Sequence, residues 1–238
     1  IVVAWCIDLA RAGTEMDGLC PGELARARGI RSAARRAEFI ATRTALRRIL
    51  AYHLDETPPA IEFDATSRGK PFLCMPAGTG IEFNVSHGAG MACIALGRDR
   101  AIGVDVEKVR PRTALSRLAA RFFTMNEQRR LAGVSEAERQ RRFYEIWCRK
   151  EAVLKALGAG ITSPLDKLDV LGAAVTVDGI LDMFEKGMGS IQIQTFTPAL
   201  THIAALAYTG DLAEVHIHHW NPSLLHHGAS GQTHPNPQ

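Results

Sequence analysis

Residues 101–109 read AIGVDVEKV, a strand-like apolar stretch that carries two carboxylates one residue apart. Strand side chains alternate faces, so Asp105 and Glu107 share one face while Val104 and Val106 share the other. Same-face positions lie roughly 6.5–7 Å apart. At an effective dielectric of about 20, two negative charges at that distance repel by about 2.5 kcal/mol. A largely apolar strand keeps such a pair only with compensation: an arginine, a proton or a divalent cation. A second segment, FYEIWCRKEAVLKALGAGI at 143–161, places Trp147, Glu151 and Lys155 on one helix face at i, i+4 and i+8. A Glu–Lys pair at that spacing also serves an ordinary solvated helix, where it contributes only about 0.3–0.5 kcal/mol. Glu151 is the best-placed third carboxylate for a cation on the strand pair. Mg²⁺ suits such a set, because it prefers oxygen ligands, takes few from protein and leaves room for phosphate.

The third segment is GKPFL to FNVSHGAG, residues 69–90. Lys70 stands before a proline, and His87 follows Ser86 in what reads as a turn after a strand. Upstream, residues 26–48 hold eight arginines, Arg35, Arg36 and Arg43 among them, against the single acid Glu38. Such a cluster fits a polyanionic partner, nucleic acid or a phosphorylated small molecule, and equally a solvated helix face. A lysine, a Ser–His turn and an arginine-rich helix could neutralise several phosphates while a metal holds a pyrophosphate.

These groups must be positioned by an α+β fold. IVVAWCIDLA reads as a first strand, too short for a membrane span and broken by Asp8. The chain opens on Ile1 rather than Met, which implies that a few residues are trimmed or unrecorded. Residues 23–54 read as one or two helices, with Phe39, Ile40, Leu46, Leu50 and Leu54 in an apolar stripe. Strands follow through residue 109, the turn signals falling at Gly69-Lys70-Pro71 and around Ser86-His87-Gly88. Helices resume over 113–124, 126–134 and 138–158, with Asn126 and Ser135 as N-caps and Gly158 as a stop. DVLGAAVTVDGIL, IQIQTFTP and HIAALAYTG read as strands. The order strand, helices, strands recurs, which permits two similar halves meeting near residue 100.

The chain has 238 residues, 46% of them hydrophobic and 22% charged, with a net charge of +3 and no long apolar run. That length supports a substantial core, as one domain or two small ones. Five scattered cysteines without a C-x-x-C pair fit reduced thiols in a cytoplasmic protein. HIHHW at 216–220 places His216 and His218 on one strand face, and the residues from 216 to 238 read as a polar, disordered tail.

Taken together, the segments resemble the 4'-phosphopantetheinyl transferases of the Sfp-type branch. The resemblance rests on GVDVE at 103–107, WCRKEAVLK at 147–155, GKP at 69–71 and NVSH at 84–87, in the family's order, over about residues 31–165. It implies two α/β halves related by a pseudo-two-fold, residues 1–100 and 101–215, with coenzyme A between them. It also implies a monomer that acts on an apo acyl, polyketide or peptidyl carrier protein, and neither nucleic acid nor membrane as partner. In this reading Asp105, Glu107 and Glu151 bind Mg²⁺, and the metal grips the pyrophosphate of coenzyme A. A carrier serine then attacks the β-phosphate and 3',5'-ADP leaves. Glu151 is the candidate general base, and Lys150 and Lys155 stand near the pyrophosphate. His87, with Ser86 beside it, meets the 3'-phosphate together with Arg35 and Arg43, Arg36 being a neighbour. Lys70 lies on the adenosine side. Glu127 matches a recurring family acid, as a group behind the site or simply a helix N-terminal acid. Arg112, Arg117 and Arg121 are candidate carrier contacts. Two rivals share part of this set: a metal-dependent nuclease, and a coenzyme A-binding protein of the same fold without turnover.

Overall fold

An apolar run without polar alternation needs cover on both faces, and three strands of this chain receive it. The computed structural model describes residues 1–13, 15–16, 18–66, 69–111, 114–159, 164–176 and 190–222. In chain order its strands and α-helices are β1 (Val2–Asp8), α1 (Pro21–Gly29), α2 (Ala33–Leu54), β2 (Glu62–Ala65), β3 (Pro71–Met75), β4 (Ile81–Gly88), β5 (Met91–Arg98), β6 (Ile102–Lys108), α3 (Leu115–Phe122), α4 (Met125–Leu131), α5 (Glu136–Ala156), β7 (Ala174–Thr176), β8 (Ser190–Ala199), β9 (His202–Thr209) and β10 (Val215–His219). The fold class is α+β, as the sequence indicates. Strands β1, β5 and β9 are buried almost throughout.

Two four-stranded sheets supply that cover. One has the order β10-β1-β5-β4, the other β6-β9-β8-β7, and β2 and β3 form a separate hairpin. Helix α2 packs on the first sheet, where Ala45, Leu46, Ile49 and Leu50 meet Trp5, Ile7, Phe83 and Ile94. Helix α5 packs on the second, through Cys148, Ala152, Val153 and Ala156 against Ile191, Ile203, Ala205 and Ala207. The sheets' remaining faces meet each other, with Val2, Cys6, Cys93 and Ala95 against Val104, Val106, Ala204 and Leu206. The layers therefore run α2, sheet, sheet, α5.

Three local expectations change. Ser86 and His87 lie inside β4, not in a turn; the hairpin turn is Ala89-Gly90, both with positive φ. Helix α4 is capped by Thr124 rather than Asn126. The Thr124 hydroxyl accepts from the Glu127 N–H while Glu127 reaches back to the Thr124 N–H at 2.8 Å, a capping box. The expected disordered tail begins with an ordered strand: β10 pairs parallel to β1, returning the chain to the first sheet. Val215 and Ile217 pack toward the second sheet, and the His218 ring lies 4.7 Å from that of Trp5. Imidazoles that can stack read as polar on a hydropathy scale, which hides the alternation. The rest of the tail beyond 222 lies outside the described residues, as do Arg112 and residues 177–181 of the DVLGAAVTVDGIL segment.

Two contacts set the position of α5. Gly103 lies under the helix, and a Cβ there would overlap Ala152 O and Ala156 N and come within 3.0 Å of the Lys155 carbonyl carbon. Only glycine lets the helix approach this closely. On the helix's other side, Lys150 and Glu127 form an ion pair at 2.8 Å with both side chains fully buried. Lys150 also donates to the carbonyls of Leu165 (2.7 Å) and Leu168, and Glu127 accepts from the Val170 N–H at 3.0 Å. Every proton of this ammonium has a partner. The pair ties α4, α5 and residues 165–170 into one unit.

Substituting Gly103→Ala is expected to lower stability by about 1–3 kcal/mol in denaturant titration, the range of an overpacked core. Glu127→Ala, which leaves the Lys150 charge buried and uncompensated, is expected to cost about 3–5 kcal/mol. The double variant Glu127→Leu/Lys150→Met should recover most of that loss, and no recovery would mean that the pair supplies more than mutual neutralisation.

Candidate active site

Strands β4 and β6 are the facing edges of the two sheets, and side chains rather than a backbone ladder join them. Asn84 Oδ1 accepts from the Val104 N–H at 3.0 Å, and Ser86 Oγ from the Val106 N–H at 3.3 Å. Alternation turns Asn84 and Ser86 toward β6, while Val85 and His87 face the α2 side.

On the opposite face of β6, Asp105 and Glu107 point toward α5, as their spacing predicts. Asp105 is 6% exposed; its Oδ1 accepts from Ser86 Oγ at 2.9 Å and from Lys155 Nζ at 2.7 Å. Lys155 also donates to Ser86 Oγ (3.0 Å) and to the Val104 carbonyl (3.1 Å). In this group two carboxylate oxygens, Asp105 Oδ2 and Glu151 Oε1, are buried without a hydrogen-bond partner, as Glu23 Oε1 is elsewhere. Burial, with Asp105 and then Glu107 as nearby negative charges, raises the Glu151 carboxyl above its ordinary range, against the pull of Lys155. Glu107 is half-buried at the mouth of this group.

A buried oxygen without a donor costs about 1–3 kcal/mol, more when charged. The donor chemistry of two such oxygens is that of a hard-cation site. Among the described residues no three potential ligands converge on one point; the group against Asp105 is the Lys155 ammonium. The residues fit a divalent cation through Asp105 Oδ2 and Glu151 Oε1, with Glu107 beside them.

The other face of β4 opens on a pocket of about 450 Å³ lined by Arg26, Phe39, Thr42, Arg43, Leu46, Phe63, Val85 and His87, with Asp64, Ala65, Gly69 and Pro71 of the β2–β3 hairpin at its rim. Phe39, Thr42, Arg43 and Leu46 share a face of α2 at i, i+3, i+4 and i+7. The Arg43 guanidinium lies over the Phe63 ring at 5.2 Å, and its Nε is 3.7 Å from Glu23 Oε1. Burial lowers the Arg43 pKa from its ordinary value, opposed by Glu23. Glu23 is engaged from below by the buried Arg47 at 2.7 Å. The pocket is therefore cationic, aromatic-lined and partly desolvated.

The sequence-derived residues divide accordingly. Asp105, Glu107, Glu151 and Lys155 come together; Arg43 and His87 share the second pocket. Four corrections follow. Lys150 does not reach the site: it sits five residues before Lys155, which turns it to the far side of α5 and into the Glu127 pair. Ser86 faces Asp105 rather than the pocket, because it alternates with His87 along one strand. Lys70 turns from the pocket that Gly69 and Pro71 line and donates to Lys155 O at 3.3 Å, over the last turn of α5. Arg35 stands exposed in the first turn of α2, one turn before Phe39 and outside the lining, and Arg36 is half-buried. Glu127 is a structural partner of Lys150. Arg26, which the sequence reading does not single out, lines the pocket with its guanidinium 5.4 Å from the Phe39 ring centre. Its membership in the arginine cluster is the one signal that sequence offers.

Comparison with known proteins shows the family. Residues 101–197 match the family model described as the 4'-phosphopantetheinyl transferase superfamily. The chain is 37% identical over 177 residues to the 4'-phosphopantetheinyl transferase HetI of Nostoc sp., covering 72% of this chain and 73% of that one. It is 34% identical over 119 residues to the 4'-phosphopantetheinyl transferase Sfp of Bacillus subtilis, half of each chain. It is 33% identical over 147 residues to the 4'-phosphopantetheinyl transferase AcpT of Salmonella typhi, 60% of this chain and 70% of that one. The chain belongs to the 4'-phosphopantetheinyl transferase superfamily, and it is an enzyme of that transferase class.

Proposed function

We propose that the protein transfers the 4'-phosphopantetheine group of coenzyme A to a serine hydroxyl of an apo acyl, polyketide or peptidyl carrier protein, with Mg²⁺, releasing 3',5'-ADP. The observation that carries this reading is the pair of buried, unpartnered oxygens on Asp105 and Glu151, one strand away from a cationic pocket. Asp105, Glu107 and Glu151 would hold Mg²⁺, which when bound supplies positive charge to the pyrophosphate oxygens.

The chain's own residues supply the rest. Arg43, Arg26 and His87 bind the 3'-phosphate, and Phe39 and Phe63 line the place of the nucleoside. This anchors the cofactor and holds its β-phosphorus near the carboxylate group, so positioning is prepared before chemistry. Lys155 offsets charge that develops as the phosphoester bond to 3',5'-ADP breaks. Glu151 accepts the serine proton as the new oxygen–phosphorus bond forms, and its raised pKa brings it nearer the range useful for a base. Asn84 and Ser86 keep β6 in register with β4, fixing the distance between the two pockets. No helix among the described residues is long and apolar enough to cross a membrane.

Glu151→Gln and Asp105→Asn are expected to abolish detectable phosphopantetheinylation, read as the mass gain on an apo carrier, while the variants stay folded. The fold binds the Glu151 proton more tightly than the unfolded chain does. Metal-free stability therefore falls as pH rises through the raised Glu151 value, and Glu151→Gln should remove that fall. Wild-type turnover in either variant would overturn the assignment. Arg43→Ala and His87→Ala should each raise the KM for coenzyme A by roughly tenfold or more, the scale of a lost charge-assisted hydrogen bond. Both should leave kcat nearly unchanged, and with 3'-dephospho-coenzyme A the difference from wild type should vanish.

A further inference from the structure

His202 opens β9, in the second sheet, and only 6% of it is exposed. Its Nε2 lies 3.3 Å from the carbonyl of Ala89, which belongs to the β4–β5 turn of the first sheet. A carbonyl only accepts, so Nε2 carries the hydrogen and Nδ1 accepts from the Thr201 hydroxyl at 3.2 Å. Thr201 is itself held, its carbonyl accepting from the Val109 N–H at 2.8 Å. The imidazole is thus fixed from its own half and reaches across to the other.

What it reaches is a strained turn. Ala89 has φ +52° and Gly90 φ +85°, left-handed conformations at both central positions of a two-residue hairpin. Glycine adopts this freely, whereas a residue with a Cβ does so at a cost of about 1 kcal/mol or more. Such strain persists where surrounding contacts hold it, and it gathers at functional sites. Two contacts hold this turn from outside its hairpin: Leu9 N–H on the Gly90 carbonyl at 2.9 Å, and His202 on the Ala89 carbonyl. Two residues upstream stands His87, exposed and lining the cationic pocket.

We propose that His202 is a positioning residue for the phosphate pocket: its Nε2–H grips the Ala89 carbonyl from the second sheet and so sets the turn that aims His87. This rests on the reading of that pocket as the site of the 3'-phosphate. His202 touches neither ligand nor reacting atoms; it acts through the turn.

Calorimetric titration with adenosine 3',5'-bisphosphate and with 5'-AMP tests this without turnover. The wild type should prefer the bisphosphate, and His87→Ala should lose most of that preference. His202→Met fills the space without donating, and should reduce the preference about fivefold, the scale of one neutral hydrogen bond. His202→Gln, which keeps an N–H donor, should restore at least half of it. Affinity for 5'-AMP should be the same in all four proteins. In the double variant His202→Met/His87→Ala the losses should not add, since both act on one contact. A wild-type preference that survives in His202→Met would overturn the role of His202 alone. No preference in the wild type would overturn the reading of the pocket and this inference with it. Equal loss in His202→Met and His202→Gln would show that volume, not the donated hydrogen, matters and would also overturn it.

Discussion

The rest of the structure depends on how two sheet edges are joined. Strands β4 and β6 run side by side, yet the buried edge amides of Val104 and Val106 are satisfied by Asn84 and Ser86 rather than by a backbone ladder. A buried amide left without a partner costs as much as a lost hydrogen bond, so these two side chains are obligatory where they stand. Side-chain acceptors also keep the backbones further apart than a ladder would. Into that seam comes Lys155, which bonds Ser86, Asp105 and the Val104 carbonyl at once. A continuous eight-stranded sheet would have no such polar slot.

The same seam separates two opposite electrostatic environments by the thickness of one strand. Ser86 meets a group with three carboxylates, and its neighbour His87 meets a pocket with two arginines. In the function proposed above, a ligand with a phosphate at one end and a pyrophosphate further along would satisfy both, the first through cations and the second through a metal held by anions. On that reading neither pocket alone would select a nucleotide cofactor; the fixed offset between them would. That offset is held by Gly103, which brings α5 down onto β6, and by the His202 contact, which joins the turn after β4 to the second sheet.

The strand and helix motifs were legible because periodicity assigns faces without tertiary knowledge. Alternation put Asp105 and Glu107 together, and the helical repeat put Glu151 and Lys155 on one side. What failed was direction relative to neighbours not adjacent in sequence. Ser86 and His87 are consecutive, so any site that includes both must be two sites or a turn, and only the position of Gly90 decides which. Lys150 and Lys155 are both lysines of one motif, but five residues is about 1.4 helical turns, enough to send one into the core. Histidines at 216 and 218 concealed β10, since stacking on Trp5 is a long-range property that no local scale contains. Arg26 and His202 meet their partners on other elements; the arginine cluster is the one local signal for the first, and nothing local marks the second.

The two lysine–carboxylate pairs on α5 differ in a way that separates structure from function. Lys150 and Glu127 are fully buried, and their remaining valences are met by Leu165, Leu168, Val170 and Thr124. A saturated pair of this kind has nothing left for a ligand. Lys155 and Asp105 have the same chemistry and nearly the same separation, 2.7 Å against 2.8 Å. Here one carboxylate oxygen is left over, and a second lies on Glu151. Folding alone gives no reason to leave these oxygens buried and short of donors, because the desolvation cost is not recovered within the chain. In the proposed function a cation and a charged substrate would recover it. In the function proposed above, this shortfall marks Lys155 and Asp105 as the pair that faces a ligand, whereas the saturated Lys150–Glu127 pair serves the fold.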